Sequence, residues 1–171
     1  LNQINTKIFK IASADISDFI LNKKVSSFNK PTIISTGTSN DYEIKRILSL
    51  YKKNRSKIAL LHCVSNYPSS LKSLNLRCIA EMEKKYNVPI GFSDHTKSLI
   101  SGAIAVSLGA KLIEKHFTLR CYDKGPDHFT SLNPLEFKNY IKLIRETEVM
   151  MGSNKKMLQS EEINMKNISR K

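Results

Sequence analysis

The chain has 171 residues, 40% of them hydrophobic and 25% charged; that supports one packed domain but falls short of the roughly 250 residues of a complete β/α barrel. No apolar run approaches the ~20 residues that span a bilayer, and Leu1-Asn2-Gln3-Ile4-Asn5 lacks the basic and apolar blocks of a secretion signal, so no membrane role is expected. The net charge of +13 is spread along the chain, as at Lys45, Arg46, Lys52 and Lys53, rather than gathered into a stripe with aromatics; this argues against a nucleic-acid partner and for a solvated surface that attracts anions.

The first residue is Leu, not Met, which leads to the expectation that the chain begins inside a longer protein. Cys63, Cys78 and Cys121 have no metal-finger spacing. An odd count without a signal peptide points to reduced thiols in a cytoplasmic setting, each expected to be a small, partly buried residue.

In chain order, short apolar runs alternate with helical patterns. The first strand is expected at Lys7–Ala12, with Lys10, Ser13 and Asp15 toward its end. The second, Thr32–Ile34, leads into Ser35-Thr36-Gly37. Asn40-Asp41-Tyr42-Glu43 then starts a helix like a capping box, and Ile44, Ile47, Leu48 and Tyr51 give it one apolar stripe. A third strand, Lys57–Leu61, runs into His62-Cys63-Val64-Ser65-Asn66-Tyr67-Pro68, and Leu74, Ile79, Met82 and Tyr86 are partly consistent with a second helix. The fourth strand, Val88–Phe92, ends in Ser93-Asp94-His95-Thr96. Leu99 to Leu108 is apolar almost all round, which predicts a well-buried helix ended by Gly109. The fifth strand, Lys111–Ile113, leads into Glu114-Lys115-His116-Phe117-Thr118. Asn133-Pro134-Leu135-Glu136 supplies a cap, a first-turn proline and an acid for a last helix, continued by Phe137, Tyr140, Ile141 and Ile144 and stopped by Gly152. Residues 153–171 read as a polar, basic linker.

The expected strands start at positions 7, 32, 57, 88 and 111, one βα unit apart each time. That repeat predicts an α/β fold of parallel strands with right-handed crossovers. The near-continuous apolar runs suggest strands buried on both faces.

Ligands of such arrays bind at the carboxyl ends of the strands, and here five successive strand ends are polar. His95 and His116 end consecutive strands. Neighbouring strands lie about 4.8 Å apart, so the two imidazoles can reach one divalent cation and leave positions for substrate oxygens; the competing reading is a pair of histidines bonded to loop backbone. His62 and His128 fit structural or supporting places. Lys10, Ser13, Ser35 and Gly37 suggest an anion site, though a plain strand-to-helix turn would look the same. Asp15, Asp94, Glu114 and Asp127 are acid–base candidates; Asp94 could instead orient its loop, and Asp15 and Asp127 are better placed to meet a substrate.

Taken together, these residues resemble a known family. Lys10-Ile11-Ala12-Ser13-Ala14-Asp15 is similar to the Lys-Ile-x-Ser-x-Glu/Asp strand of the N-acetylneuraminate (sialic acid) synthases. Ser35-Thr36-Gly37, Leu60 to Pro68, Gly91 to Thr96, Glu114 to Thr118 and Gly125-Pro126-Asp127-His128 follow in the family's order. The resemblance extends to relatives that make legionaminic or pseudaminic acid. It implies a partial TIM (β/α)8 barrel, about the last five βα units, over residues 1–152, with residues 153–171 leading toward an absent antifreeze-like domain. It implies condensation of phosphoenolpyruvate with an N-acetylated amino sugar such as N-acetylmannosamine, aided by Mn²⁺ or alternatively Mg²⁺, in a cytoplasmic homodimer when full length. By residue, it implies His95 and His116 as metal ligands, and Lys10, Ser13, Ser35, Ser65 and Ser93 as phosphoenolpyruvate contacts. Asp15, Tyr67 and Asp127 become contacts to the acceptor sugar, with His116, Asp15 and Asp127 carrying catalysis. Asp15 stands where many members have Glu, so the acceptor fit is open to change.

Five strands cannot close an eight-stranded barrel. The expectation is therefore a marginally stable, inactive piece of an active enzyme, with two exposed sheet edges. An aldolase or another phosphoenolpyruvate-dependent synthase on the same fold, and a non-catalytic assembly fragment, are the alternatives.

Overall fold

The computed structural model describes residues 5–169. The first four residues of the amino terminus read above, and the last two of the 153–171 tail, lie outside the described residues. Five parallel strands form one sheet in sequential order: β1 (Phe9–Ile11), β2 (Thr32–Ser35), β3 (Ile58–Cys63), β4 (Ile90–Asp94) and β5 (Ile113–Lys115). Between and after them run α1 (Phe19–Ser27), α2 (Asp41–Leu50), α3 (Cys78–Tyr86), α4 (Ser101–Ser107), α5 (Pro134–Met151) and α6 (Ile163–Ser169). No described helix is long and apolar enough to cross a membrane.

Successive strand side chains alternate between two faces. Phe9, Ile11, Ile34, Ile58, Leu60, Ile90 and Phe92 enter one buried cluster with the apolar stripes of α2 and α3. The intervening residues include Lys10, Ser35, Ser93 and Glu114. The expectation of strands buried in apolar surroundings on both faces therefore holds for the helix side only; the other face turns polar toward the carboxyl ends.

That polar face is strongly concave. Four steps of about 4.8 Å would hold the two outer strands of a flat sheet ~19 Å apart. Yet Lys10 Nζ of β1 lies 3.2 Å from Glu114 Oε2 of β5, a gap that two side chains bridge only if the sheet curls.

Strand bounds differ from expectation in both directions: β1 is shorter than the expected Lys7–Ala12 at each end, and β2 gains Ser35. β3, β4 and β5 run two residues further toward their carboxyl ends than the apolar runs predict. Pairing toward β5 does begin at Lys111, whose N–H donates to the Ile90 carbonyl at 2.7 Å, but the strand itself continues through Glu114 and Lys115. Charged residues stay in the strand because each has a partner across the sheet. Gly91 is required for this pairing: a Cβ there would meet the Leu112 carbonyl oxygen and Leu61 Cδ2, each at 2.5 Å.

The helices follow their sequence signals with two corrections. Both expected capping boxes form, Asn40 with Glu43 and Asn133 with Glu136, and Gly109 and Gly152 sit at positive φ after α4 and α5. Asn87, in the left-handed region at φ 51, ends α3. The first correction concerns α4, which is not buried all round. Ser101, Gly102, Ala103 and Ala105 are buried, while Ile100 and Ile104 are exposed. The small residues form one face because α5 comes close there: a Cβ on Gly102 would lie 2.3 Å from the Tyr140 hydroxyl. The second concerns Cys78, which opens α3 and is exposed rather than partly buried. Residues 153–169 carry α6 and are exposed throughout.

A candidate active site at the carboxyl ends of the strands

The concave face ends in a cleft of about 390 Å³, whose lining includes Lys10, Ser13, Ser35, Tyr67, Ser93 and Glu114 together with His95 and His116. His95 and His116 follow directly on β4 and β5, so strand pairing brings them side by side: their ring centroids are 5.4 Å apart at 69°. Tyr67 stacks on His95 at 4.1 Å and meets the edge of His116 at 5.6 Å. Asp127 Oδ2 lies 3.9 Å from His116 Nδ1.

The hydrogen bonds fix the state of His95. Its Nδ1 lies 3.0 Å from the Val64 carbonyl; a carbonyl only accepts, so Nδ1 carries a proton. Nε2 lies 3.3 Å from Ser93 Oγ. The single Ser93 proton is engaged in a 2.6 Å bond to Glu114 Oε1. Nε2 and Ser93 Oγ therefore turn lone pairs toward each other. A proton on Nε2, or a cation near it, resolves that contact. Burial pushes the His95 pKa down, but Cys63 and the Val64 carbonyl outweigh it and hold the group above its ordinary value. A histidine that donates one ring N–H to a backbone carbonyl and keeps the other nitrogen toward a cleft has the usual form of a metal ligand; His95 takes that form, and His116 lies beside it with a carboxylate 3.9 Å from its Nδ1. Among the described residues no cluster of three or more His, Cys, Asp or Glu forms a metal cage.

Beside this pair lies a group of hydroxyls. The Gly37 N–H donates to Ser13 Oγ at 3.0 Å. A Cβ at Gly37 would fall 2.2 Å from Ser65 Oγ and 2.8 Å from Ser13 Oγ, so only glycine lets the turn after β2 approach these hydroxyls. Ser35 Oγ is buried and has no partner among the described residues, a costly state unless something else bonds it. With the Lys10 ammonium nearby, the group suits an anion rich in oxygen atoms.

The structure thus brings His95, His116, Lys10, Ser13, Ser35, Ser93 and Tyr67 to one cleft, with Ser65 against the Gly37 turn and Asp127 beside His116. Asp15 is exposed in the turn after β1 and does not join the lining. His62 accepts a structural place: its Nε2 lies 2.6 Å from the Leu74 carbonyl and its ring stacks on Phe92. His128 Nδ1 bonds Thr118 Oγ1 at 2.6 Å. Asp94 is fully buried on the helix side and cannot act on a ligand.

Sequence reasoning undervalued two residues. Glu114 links Lys10 and Ser93 at the centre of the cleft; its alternation with His116 on one strand was the available signal. Cys63 is not inert. Burial pushes its thiol up, but His95 and Ser13 outweigh that and hold it below its ordinary value.

A profile of the NeuB family matches residues 1–156. The chain belongs to the NeuB family. It is 41% identical over 175 residues to the N,N'-diacetyllegionaminic acid synthase of Campylobacter jejuni, covering all of this chain and 52% of that protein. It is 39% identical over 140 residues to the N-acetylneuraminate-9-phosphate synthase of Drosophila melanogaster, covering 81% of this chain and 38% of that one. Among solved structures, the N-acetylneuraminic acid synthetase of Leptospira borgpetersenii, in complex with citrate, superposes over the whole chain and 61% of its own length, with a TM-score of 0.89 at 35% identity. The chain spans about half the length of the curated relatives it matches. As a member of the NeuB family with this fold, it is a partial (β/α)8 barrel of five βα units.

Proposed function

We propose that this NeuB-family chain is the part of a synthase that holds phosphoenolpyruvate and a divalent metal while phosphoenolpyruvate is joined to an N-acetylated amino sugar, N-acetylmannosamine or a relative, to give a nonulosonic acid and phosphate. The observation that carries the reading is the approach of the His95 and His116 rings to 5.4 Å beside the hydroxyl and ammonium cluster of Ser13, Ser35, Ser93 and Lys10.

His95 and His116 would hold Mn²⁺, with Mg²⁺ as the alternative, and other positions would go to water and substrate oxygens. When bound, the cation supplies Lewis acidity to the sugar carbonyl oxygen. Lys10, the hydroxyls of Ser13, Ser35, Ser65 and Ser93, and the Gly37 turn hold the phosphate and carboxylate groups, which places the methylene carbon of phosphoenolpyruvate toward the acceptor carbonyl. As the carbon–carbon bond forms, positive charge grows at the enol carbon, and the held phosphate and the Glu114 carboxylate stabilise it. Water adds at that carbon, and phosphate leaves with its bridging oxygen. Tyr67 and Asp127 orient the sugar hydroxyls, and Asp127 with His116 also handles protons there; Asp15, outside the lining of the cleft, meets the sugar only where it extends beyond the cleft toward the turn after β1. In the whole enzyme this centre works in the cytoplasm as a homodimer.

A second acceptor class, a diacetylated amino sugar, is supported by the 41% identity to a legionaminic acid synthase. Competition of the two sugars for the Mn²⁺- and phosphoenolpyruvate-loaded chain separates them.

The test of the central reading is equilibrium binding. Calorimetric titration of the chain with Mn²⁺ is expected to show one site, lost or weakened at least about a hundredfold in His116→Ala, and phosphoenolpyruvate binding is expected to weaken in Lys10→Ala. A folded chain that binds neither ligand would refute the proposal.

A further inference from the structure

We infer that the buried pair Asp94–Lys115 is a positioning element that sets His95 against His116. Lys115 borders the cleft, but both side chains pack against Ser101 and Tyr140 on the helix side of the sheet. Asp94 and Lys115 are direct partners in the β4–β5 register, and each immediately precedes one of the two histidines. Side chains alternate along a strand, so a contact between these residues on one face fixes how the next residues meet on the other.

The contact is closed to solvent. Lys115 Nζ lies 3.2 Å from Asp94 Oδ2, with the two side chains 2% and 0% exposed. The ammonium also donates to the Thr96 carbonyl and sits 5.5 Å from the centre of the Tyr140 ring. The carboxylate is bonded on every side: Thr96 N–H donates to Oδ1 at 2.8 Å, and Ser101 Oγ and Tyr140 Oη donate to Oδ2 at 2.5 and 2.8 Å. Thr96 follows His95, so the pair grips the backbone on both sides of that histidine while it holds the strand end from which His116 projects.

Stability alone does not account for such an arrangement. Two charges removed from water gain little over well-packed neutral groups, and the best-attested use of a buried polar pair is to specify register. β5 is short, and apolar burial does little to fix its register: Ile113 is only partly buried, and the neighbours Leu112 and Phe117 are exposed. A slip of one residue would turn His116 to the helix side. The ion pair forbids the slip because it would leave two buried charges unmatched.

The inference extends the metal reading above, and its test has an arm that does not depend on metal. The double variant Asp94→Asn, Lys115→Met replaces the charges with neutral groups of similar volume. In the metal-free wild-type chain, where the ring centroids lie 5.4 Å apart, the ring protons of His95 and His116 are expected to give a nuclear Overhauser contact. The double variant is expected to fold, with a native near-ultraviolet circular dichroism spectrum, yet to lose that contact and to bind Mn²⁺ about ten- to a hundredfold more weakly. A folded double variant that keeps the ring contact overturns the inference. So does a double variant that does not fold, since the pair would then be needed for folding rather than for positioning. If the wild-type chain shows the ring contact but no Mn²⁺ binding, the metal reading fails, and loss or retention of the contact in the variant still decides the role of the pair.

Discussion

At the scale of single residues, the cleft depends on small groups placed where larger ones would not fit. Gly37 lies within hydrogen-bonding reach of Ser13 and so close to Ser65 that a methyl group must displace one hydroxyl or the other. Gly37→Ala is therefore expected to weaken phosphoenolpyruvate binding by about tenfold or more, equal to roughly 1.4 kcal/mol. The fold should change little, because φ at Gly37 is not among the positive values. Calorimetric titration of the variant beside thermal melting measures both. Unchanged affinity would remove the hydroxyl cluster from the binding site. The unpartnered Ser35 Oγ supports the same conclusion from the other side, since a buried hydroxyl without a partner costs about 1–3 kcal/mol.

At the scale of elements, the helix layer is joined by contacts of unequal kind. Apolar stripes dock α2 and α3 on the sheet, and a charge cluster ties the start of α2 to the end of α3. Asp41 Oδ1 lies 2.8 Å from Lys85 Nζ and accepts from Tyr86 Oη at 2.7 Å, while Asp41 Oδ2 meets Lys45 at 2.9 Å. Lys85 first, then Lys45 and Tyr86, hold the Asp41 carboxyl well below the usual carboxylate range. A depressed pKa of this kind contributes stability that is present above the unfolded value of about 3.9 and lost as pH falls through the lower folded value. Asp41→Asn is thus expected to lower the melting temperature slightly at pH 7. The gap to wild type should narrow as pH drops below about 4, and also in ~1 M salt, where exposed pairs are screened. Melting curves across that range check the sign; a gap that widened on acidification would contradict it.

At the scale of the whole molecule, the sheet is a curled array with β1 and β5 as its outer strands. Among the described residues no further strand pairs with the outer edge of either, and β5 is flanked by the exposed side chains of Leu112 and Phe117. Open parallel edges of this sort template further pairing. The isolated chain is expected to self-associate with rising concentration and to give no turnover with phosphoenolpyruvate, Mn²⁺ and N-acetylmannosamine. Sedimentation velocity and an assay of phosphate release test the two parts; a monomer with steady turnover would show that five units suffice.

Much of this was legible in the sequence because it is local. The βα period, the two capping boxes and the glycines after α4 and α5 are set by propensities and caps within a few residues. The polar strand ends could also be read, since each strand is followed by a run of Ser, His, Asp or Glu. Hydropathy placed the ends of β4 and β5 two residues short, because it scores Asp94, Glu114 and Lys115 as loop formers; their partners lie across the sheet and have no trace in the local pattern. It also overstated the burial of α4, where one face of small residues is selected by the approach of Tyr140.

The residue types and their order by themselves determined a run of five βα units with histidines and hydroxyls at the strand ends, because strand and helix periodicity act over short distances. Only the tertiary structure decided that β1 curls within reach of β5, that Glu114 rather than Asp15 stands among the hydroxyls, and that Asp94 turns from the cleft to pair with Lys115. Those outcomes depend on sheet curvature and on which neutral or charged partner meets each side chain across the strands, and neither is encoded in any single segment.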